Sequence, residues 1–225
     1  MRCRPLGDSA LVVELAASAD VAAVRRIQAL HARMRTAPLD GVLECIPAFV
    51  TLTVYFDPLR LAGDEGRVRI EEWIAACLAQ ASEVASAEAA LPREVVLKVR
   101  YGGDAGPDLP AVAAALGRSE EDVVALHSGA AYVVGAVGFS PGFPYLLGLP
   151  KELHLPRRST PRPRVPAGSV AIAAGQAGVY PQATPGGWHL IGRTQAELFS
   201  LERDPPALLA VGDRVRFVRE TERAP

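Results

Sequence analysis

The chain has 225 residues, 49% of them hydrophobic and 22% charged, which is ordinary globular usage and unlike the polar, highly charged composition of disorder. Its 24 Lys and Arg are matched by 25 Asp and Glu, so a net charge of -1 draws it neither to a nucleic acid backbone nor to an anionic membrane. No segment approaches the roughly 18 consecutive apolar residues of a membrane span, no apolar run behind the basic start makes a signal peptide, and Cys3, Cys45 and Cys77 are too few and scattered for a disulfide scaffold.

The expectation is therefore a soluble, cytoplasmic, two-domain chain with no nucleic acid or membrane partner. Residues 10–15 read as a short strand. Asp20 opens a helix to about residue 35, with Val21, Val24, Ile27 and Leu30 on one face, and Pro38 closes it. After the Leu39-Asp40-Gly41 turn, 42–46 is a strand, Pro47 separates it from the β-branched and aromatic strand 49–56, and Asp57-Pro58 ends that strand. A second helix runs from Gly66 to about Ala87, with Val68, Trp73, Ile74, Cys77 and Leu78 on its apolar side, and a strand follows at 95–99. This order fits a small α+β unit over residues 1–90 with a split β-α-β sheet and helices on one face. The boundary falls between Ala87 and Glu94, and the strand at 95–99 could belong to either side of it. His31 and Trp73 read as ordinary helix residues.

From residue 91 to 220 the chain reads as mainly β. Short helices are expected at 110–116 and from Ser119, whose hydroxyl can cap a turn rich in Glu120, Glu121 and Asp122. Residues 131–138 are strand-like. The window 135–193 holds 10 Gly and 9 Pro, yet large apolar residues interleave with them throughout. A packed β domain with shaped loops accounts for both, because Pro fixes φ and Gly admits left-handed backbone. Gly138-Phe139-Ser140-Pro141-Gly142-Phe143-Pro144-Tyr145 has neither the spacing nor the Lys of a phosphate loop. It reads either as a long loop collapsed on the barrel or as one wall of a groove for a ligand or a protein partner. Arg157, Arg158, Arg162 and Arg164 are either a solubilising loop or an anion site. Gly175-Gln176-Ala177-Gly178-Val179-Tyr180-Pro181 and Pro185-Gly186-Gly187-Trp188-His189 read as a recognition surface. There is no nucleophilic triad, and His127, His154 and His189 have no compact metal-ligand spacing. Residues 198–201 and 208–218 read as closing β segments around the Arg203-Asp204-Pro205-Pro206 turn, with a frayed tail after Arg219.

Four blocks resemble the KipI, or allophanate hydrolase subunit 1, family: Tyr101-Gly102-Gly103 with Gly106-Pro107-Asp108-Leu109; Gly138 to Leu146; Val165-Pro166-Ala167-Gly168-Ser169-Val170; and Pro185-Gly186-Gly187-Trp188 with Ile191-Gly192-Arg193-Thr194. The resemblance spans essentially the whole chain, with departures at Ala177 and Gln195. It implies a cyclophilin-like β-barrel after the α+β domain. It further implies one component of a 5-oxoprolinase complex, working with a carboxyltransferase-like C subunit and with the A subunit, where ATP with Mg2+ drives opening of 5-oxo-L-proline to L-glutamate. Inhibition of a partner sensor histidine kinase, or a role in urea-degrading amide hydrolysis, are the other activities the family suggests. On side-chain chemistry, Arg162, Arg164 and Arg193 are the expected electrostatic, catalytic group. Ser169 and Gln176 would orient polar ligand atoms, and Phe139, Phe143, Tyr180 and Trp188 would shape the apolar boundary.

Overall fold

A computed structural model describes residues 1–84 and 93–220, and the side chains of 82–84 are not described. The chain separates into two compact units, Met1–Pro92 and Arg93–Pro225. The expected boundary segment, the last residues of the second helix and the tail from 221 onward lie outside the described residues. No helix among the described residues is long and apolar enough to cross a membrane.

The first unit contains β1 (Arg2–Pro5), β2 (Ala10–Glu14), α1 (Val21–Thr36), β3 (Val42–Ala48), β4 (Thr51–Phe56) and α2 (Gly63–Val84). Its sheet has the order β1-β2-β4-β3 and is antiparallel throughout. Asp20 caps α1 by accepting from the Ala23 N–H at 2.7 Å. Ile27, Leu30 and Met34 of α1 and Ile70, Ile74 and Cys77 of α2 share one buried cluster with Leu11, Val13, Leu52 and Val54 of the sheet.

Two expectations for this unit are corrected and one strand is added. The polar edge strand β1 carries no alternating signal and is absent from the sequence reading. Pro47 does not separate two strands but lies within β3, opposite Leu52. β3 is an edge strand, where a missing N–H costs no ladder bond, and the reversal comes at Phe49, whose φ is 51°. Val68 is half exposed, whereas Ile74 and Cys77 are buried and Trp73 and Leu78 pack against the core as expected, with Ile70 and Ala81 completing the buried stripe of α2.

The second unit begins with β5 (Glu94–Tyr101), followed by α3 (Leu109–Leu116) and α4 (Glu120–Gly129). Strands β6 (Tyr132–Val137), β7 (Pro144–Leu147), β8 (Arg162–Val165), β9 (Ser169–Ala173), β10 (Gln176–Val179), β11 (Thr184–Gly186), β12 (His189–Arg193) and β13 (Arg214–Arg219) complete it. Seven of these close a barrel in the order β10-β7-β6-β13-β5-β12-β9, while β8 and β11 form a separate ribbon. The strand left open between two domains is thus β5, and it belongs to the barrel, parallel to β13 and antiparallel to β12. Ser119 caps α4 through a reciprocal pair with Asp122: its hydroxyl accepts from the Asp122 N–H at 3.1 Å, and the Asp122 carboxylate accepts from the Ser119 N–H at 3.1 Å. Of the two expected closing segments, only 214–219 is a strand; near 198–208 there is one isolated bridge, Phe199 to Ala207.

Along β9 the side chains alternate between two cores. Val170 and Ile172 pack inside the barrel with Leu97, Val134 and Phe217, whereas Ala171 and Ala173 join Phe143, Val165, Tyr180, Trp188 and Leu190 in a second cluster. A strand buried on both faces needs small residues on one of them, and alanine supplies that.

Candidate functional site

The second cluster gathers three of the expected apolar boundary residues. Phe143 is the hub: its ring meets those of Tyr145, Tyr180 and Trp188 edge-on, at centroid distances of 4.9, 5.1 and 5.7 Å. Such T-shaped contacts set the positive edge of one ring on the negative face of the next. Two glycines let the layer settle on the strands. A Cβ at Gly178 would lie 2.8 Å from Phe143 Cζ and 3.1 Å from Trp188 Cζ3, and one at Gly186 would lie 2.3 Å from the Tyr180 hydroxyl. Burial pushes the Tyr180 hydroxyl above its ordinary pKa, against a smaller opposing effect of its hydrogen bond to the Trp188 backbone. Phe139 differs from the rest: it is 64% exposed, stacks edge-on against Phe143 at 5.6 Å, and holds a φ of 70° that a non-glycine residue adopts only at a cost.

The three arginines expected to act as one group have different surroundings. Arg162, at the start of β8, donates twice to Asp108, Nη1 to Oδ2 at 2.9 Å and Nη2 to Oδ1 at 2.7 Å. Arg164, two residues on, is exposed and makes no side-chain hydrogen bond or ion pair among the described residues. Arg193 lies on β12 directly opposite Ser169 of β9. Its Nε and the Ser169 hydroxyl are both buried without a hydrogen-bond partner. Two unsatisfied polar atoms on neighbouring strands cost on the order of 1–3 kcal/mol each, which marks this pair as a place where a ligand or water would be stabilised. Gln176 opens β10 beyond the Ala174-Gly175 turn and is half-buried.

The residue that organises this region is one to which the motif reading assigns no role. Asp108 is 4% exposed and sits just before α3. Besides Arg162, its carboxylate accepts from Arg158 Nη1 at 3.0 Å and from the Leu190 N–H at 2.7 Å, while its own N–H donates to the Leu190 carbonyl at 3.0 Å. Burial pushes its pKa up, but the hydrogen bonds from Arg162 and Leu190, with the charges of Arg162 and Arg158, outweigh this and hold it below the ordinary carboxylate value. Asp108 thereby ties the α3 entry, the arginine-bearing loop and β12 together. The signal available in sequence was an acid within the Gly106-Pro107-Asp108-Leu109 block and arginines some 50 residues later, a separation that spacing rules do not read.

Inside the barrel, His127 of α4 is fully buried, with Nδ1 2.8 Å from the Tyr101 hydroxyl and Nε2 unpartnered. Tyr132 donates to the His127 carbonyl at 2.9 Å, and Phe217 stacks at 4.6 Å. Burial drives the imidazole pKa down to about 3, so it is neutral at ordinary pH. Among the described residues no group of three or more His, Cys, Asp or Glu is placed to hold a metal ion.

A family model described as the carboxyltransferase domain, subdomain C and D, matches residues 1–209. The chain belongs to that family. A relative from Escherichia coli O157:H7, named as the B subunit of 5-oxoprolinase, is 47% identical over 222 residues, covering 98% of this chain and 97% of its own. One from Bacillus subtilis strain 168 with the same name is 41% identical, covering 97% and 92%. The solved structure of TTHA0988 superposes with a TM-score of 0.80 at 38% identity over 96% of this chain. The chain spans only 40% of that longer protein. The resemblance read from the four motif blocks is borne out by this family match together with the relatives named as 5-oxoprolinase B subunits.

Proposed function

We propose that the chain is the B subunit of an ATP-dependent 5-oxoprolinase that converts 5-oxo-L-proline to L-glutamate, and that it works only within a complex. The observation that carries this is the 47% identity to a protein of that name over nearly the full length of both chains. In this reading, residues 1–90 and 91–220 are separate domains, the seven-strand closure is a cyclophilin-like barrel, and the protein is cytoplasmic. Its partners are the carboxyltransferase-like C subunit and the A subunit of the same enzyme.

The chemistry explains why several polypeptides share the work. The lactam carbonyl of 5-oxoproline is a poor electrophile, and phosphorylation of its oxygen by ATP with Mg2+ supplies a better leaving group before hydrolysis. ATP and Mg2+ belong to the complex in this reading. This chain would contribute charge and positioning: Arg193, Arg162 and Arg164 screen developing negative charge, Ser169 and Gln176 orient polar atoms, and Phe139, Phe143, Tyr180 and Trp188 exclude water. The buried, unpartnered Ser169 hydroxyl and Arg193 Nε support a ligand at that strand pair. Reconstitution tests the assignment. The isolated chain should form no glutamate, and addition of its cognate A and C partners with ATP should restore it. A properly assembled complex that forms none, or a chain that instead inhibits a sensor histidine kinase, would refute it.

A further inference from the structure

A cleft of about 340 Å³ lies beside α3, apart from the Ser169 and Arg193 pair, with Ala111, Ala115, Leu155, Arg157, Arg158 and His189 in its wall. The loop that forms one side is fixed at three points: the Ala174 N–H donates to the Leu155 carbonyl at 2.7 Å, His189 Nε2 meets the Pro156 carbonyl at 2.9 Å, and the Arg158 N–H donates to the Gly187 carbonyl at 2.9 Å. A carbonyl only accepts, so Nε2 of His189 carries a proton and donates it to Pro156.

The charges at this cleft do not cancel. Asp108 receives four hydrogen bonds, one from Arg158, two from Arg162 and one from the Leu190 N–H, which fills the acceptor sites of a carboxylate. One negative charge is therefore set against two guanidiniums, and Arg157, exposed and without a side-chain hydrogen bond or ion pair among the described residues, adds another positive charge. Arg158 Nε is buried and unpartnered as well. The facing wall is the methyl groups of α3. Fixed positive charge on one side and a small apolar surface on the other match a carboxylate on a compact hydrocarbon body, and the volume is at the lower end of small-molecule sites.

We propose that this cleft binds the carboxylate of a small organic acid, with Arg157 and Arg158 as the anion-binding side chains and Ala111 and Ala115 as the apolar wall. The probe chosen, 5-oxo-L-proline, rests on the function proposed above. Isothermal titration of the full chain should give a Kd on the order of millimolar. Affinity should be about tenfold weaker for 2-pyrrolidinone, the same ring without the carboxylate. Ala115 is exposed, so Ala115→Phe fills the cleft without disturbing Asp108 and should weaken binding about tenfold, while Arg157→Gln should do so roughly fivefold. Equal affinity for the two lactams, binding indifferent to Ala115→Phe, tighter binding of inorganic phosphate than of 5-oxo-L-proline, or no binding at all would overturn the proposal. The assembled complex keeps the two ideas apart. Glutamate formation with an unchanged KM in the Ala115→Phe complex removes the cleft and leaves the oxoprolinase reading. Cleft-dependent binding by the chain with no turnover by the complex does the reverse.

Discussion

The two units of this chain bury different things. Among the described residues, the core of the first is aliphatic and sulfur-bearing, and none of its polar or charged residues is fully buried. Among the described residues, all six buried polar or charged residues, Asp108, His127, Ser140, Ser169, Thr194 and Asp213, lie in the barrel unit, as do all the buried side-chain polar atoms that lack a partner. The larger cleft, about 450 Å³, is nonetheless in the first unit, lined by turn residues around Asp40 and Arg60. Those two charges already neutralise each other at 2.7 Å in an exposed pair. Volume and uncompensated polarity therefore single out different units, and desolvated polar groups are the costlier feature, since they persist where something uses them.

The sharpest way to break this contrast is Asp108→Ala, which leaves two partly buried guanidiniums without their carboxylate. It should cost about 3 kcal/mol in urea denaturation, the range for removing one partner of a buried pair; a loss below about 1 kcal/mol would mean that solvent already screens the network. Arg193→Ala comes next and should act on function. Turnover of the assembled complex should fall roughly thirtyfold, equivalent to about 2 kcal/mol of transition-state stabilisation, with the melting temperature nearly unchanged. Parallel loss of folding and assembly would assign Arg193 to structure.

Acid should then separate the units. His127 has a folded pKa of about 3, below its unfolded value near 6.5. Its neutral burial contributes fully above about pH 6.5, and the contribution is lost as pH falls toward 3, because the unfolded chain takes up the proton first. Stability should drop by roughly 1–2 kcal/mol between about pH 8 and pH 5 from this group. Most of that slope should vanish in His127→Phe, read by denaturation at the two pH values. Ser169→Ala removes an unsatisfied hydroxyl and should change stability by less than about 1 kcal/mol, in either direction, while lowering turnover. At the small end, Arg60→Ala in the first unit should stay within about 0.5 kcal/mol, as exposed ion pairs do.

Local signals made much of this molecule legible from residue order alone. Helical spacing placed α1 and the body of α2, Ser119 with Asp122 announced the α4 cap, and the mixture of Gly, Pro and aromatics across 135–193 marked a packed, loop-shaped β region. The family followed from four short blocks. These features depend on neighbours within a few residues, where backbone sterics and side-chain periodicity act directly. Tertiary structure alone decided the rest. It put β5 in the barrel by pairing it with β13, more than a hundred residues later, and made Pro47 tolerable by placing β3 at an edge. It also gave Arg162 to Asp108 and left Arg193 opposite Ser169 without a partner for its Nε, because a guanidinium goes to whichever carboxylate the completed fold brings within a few ångströms, and sequence separation carries no information about that distance.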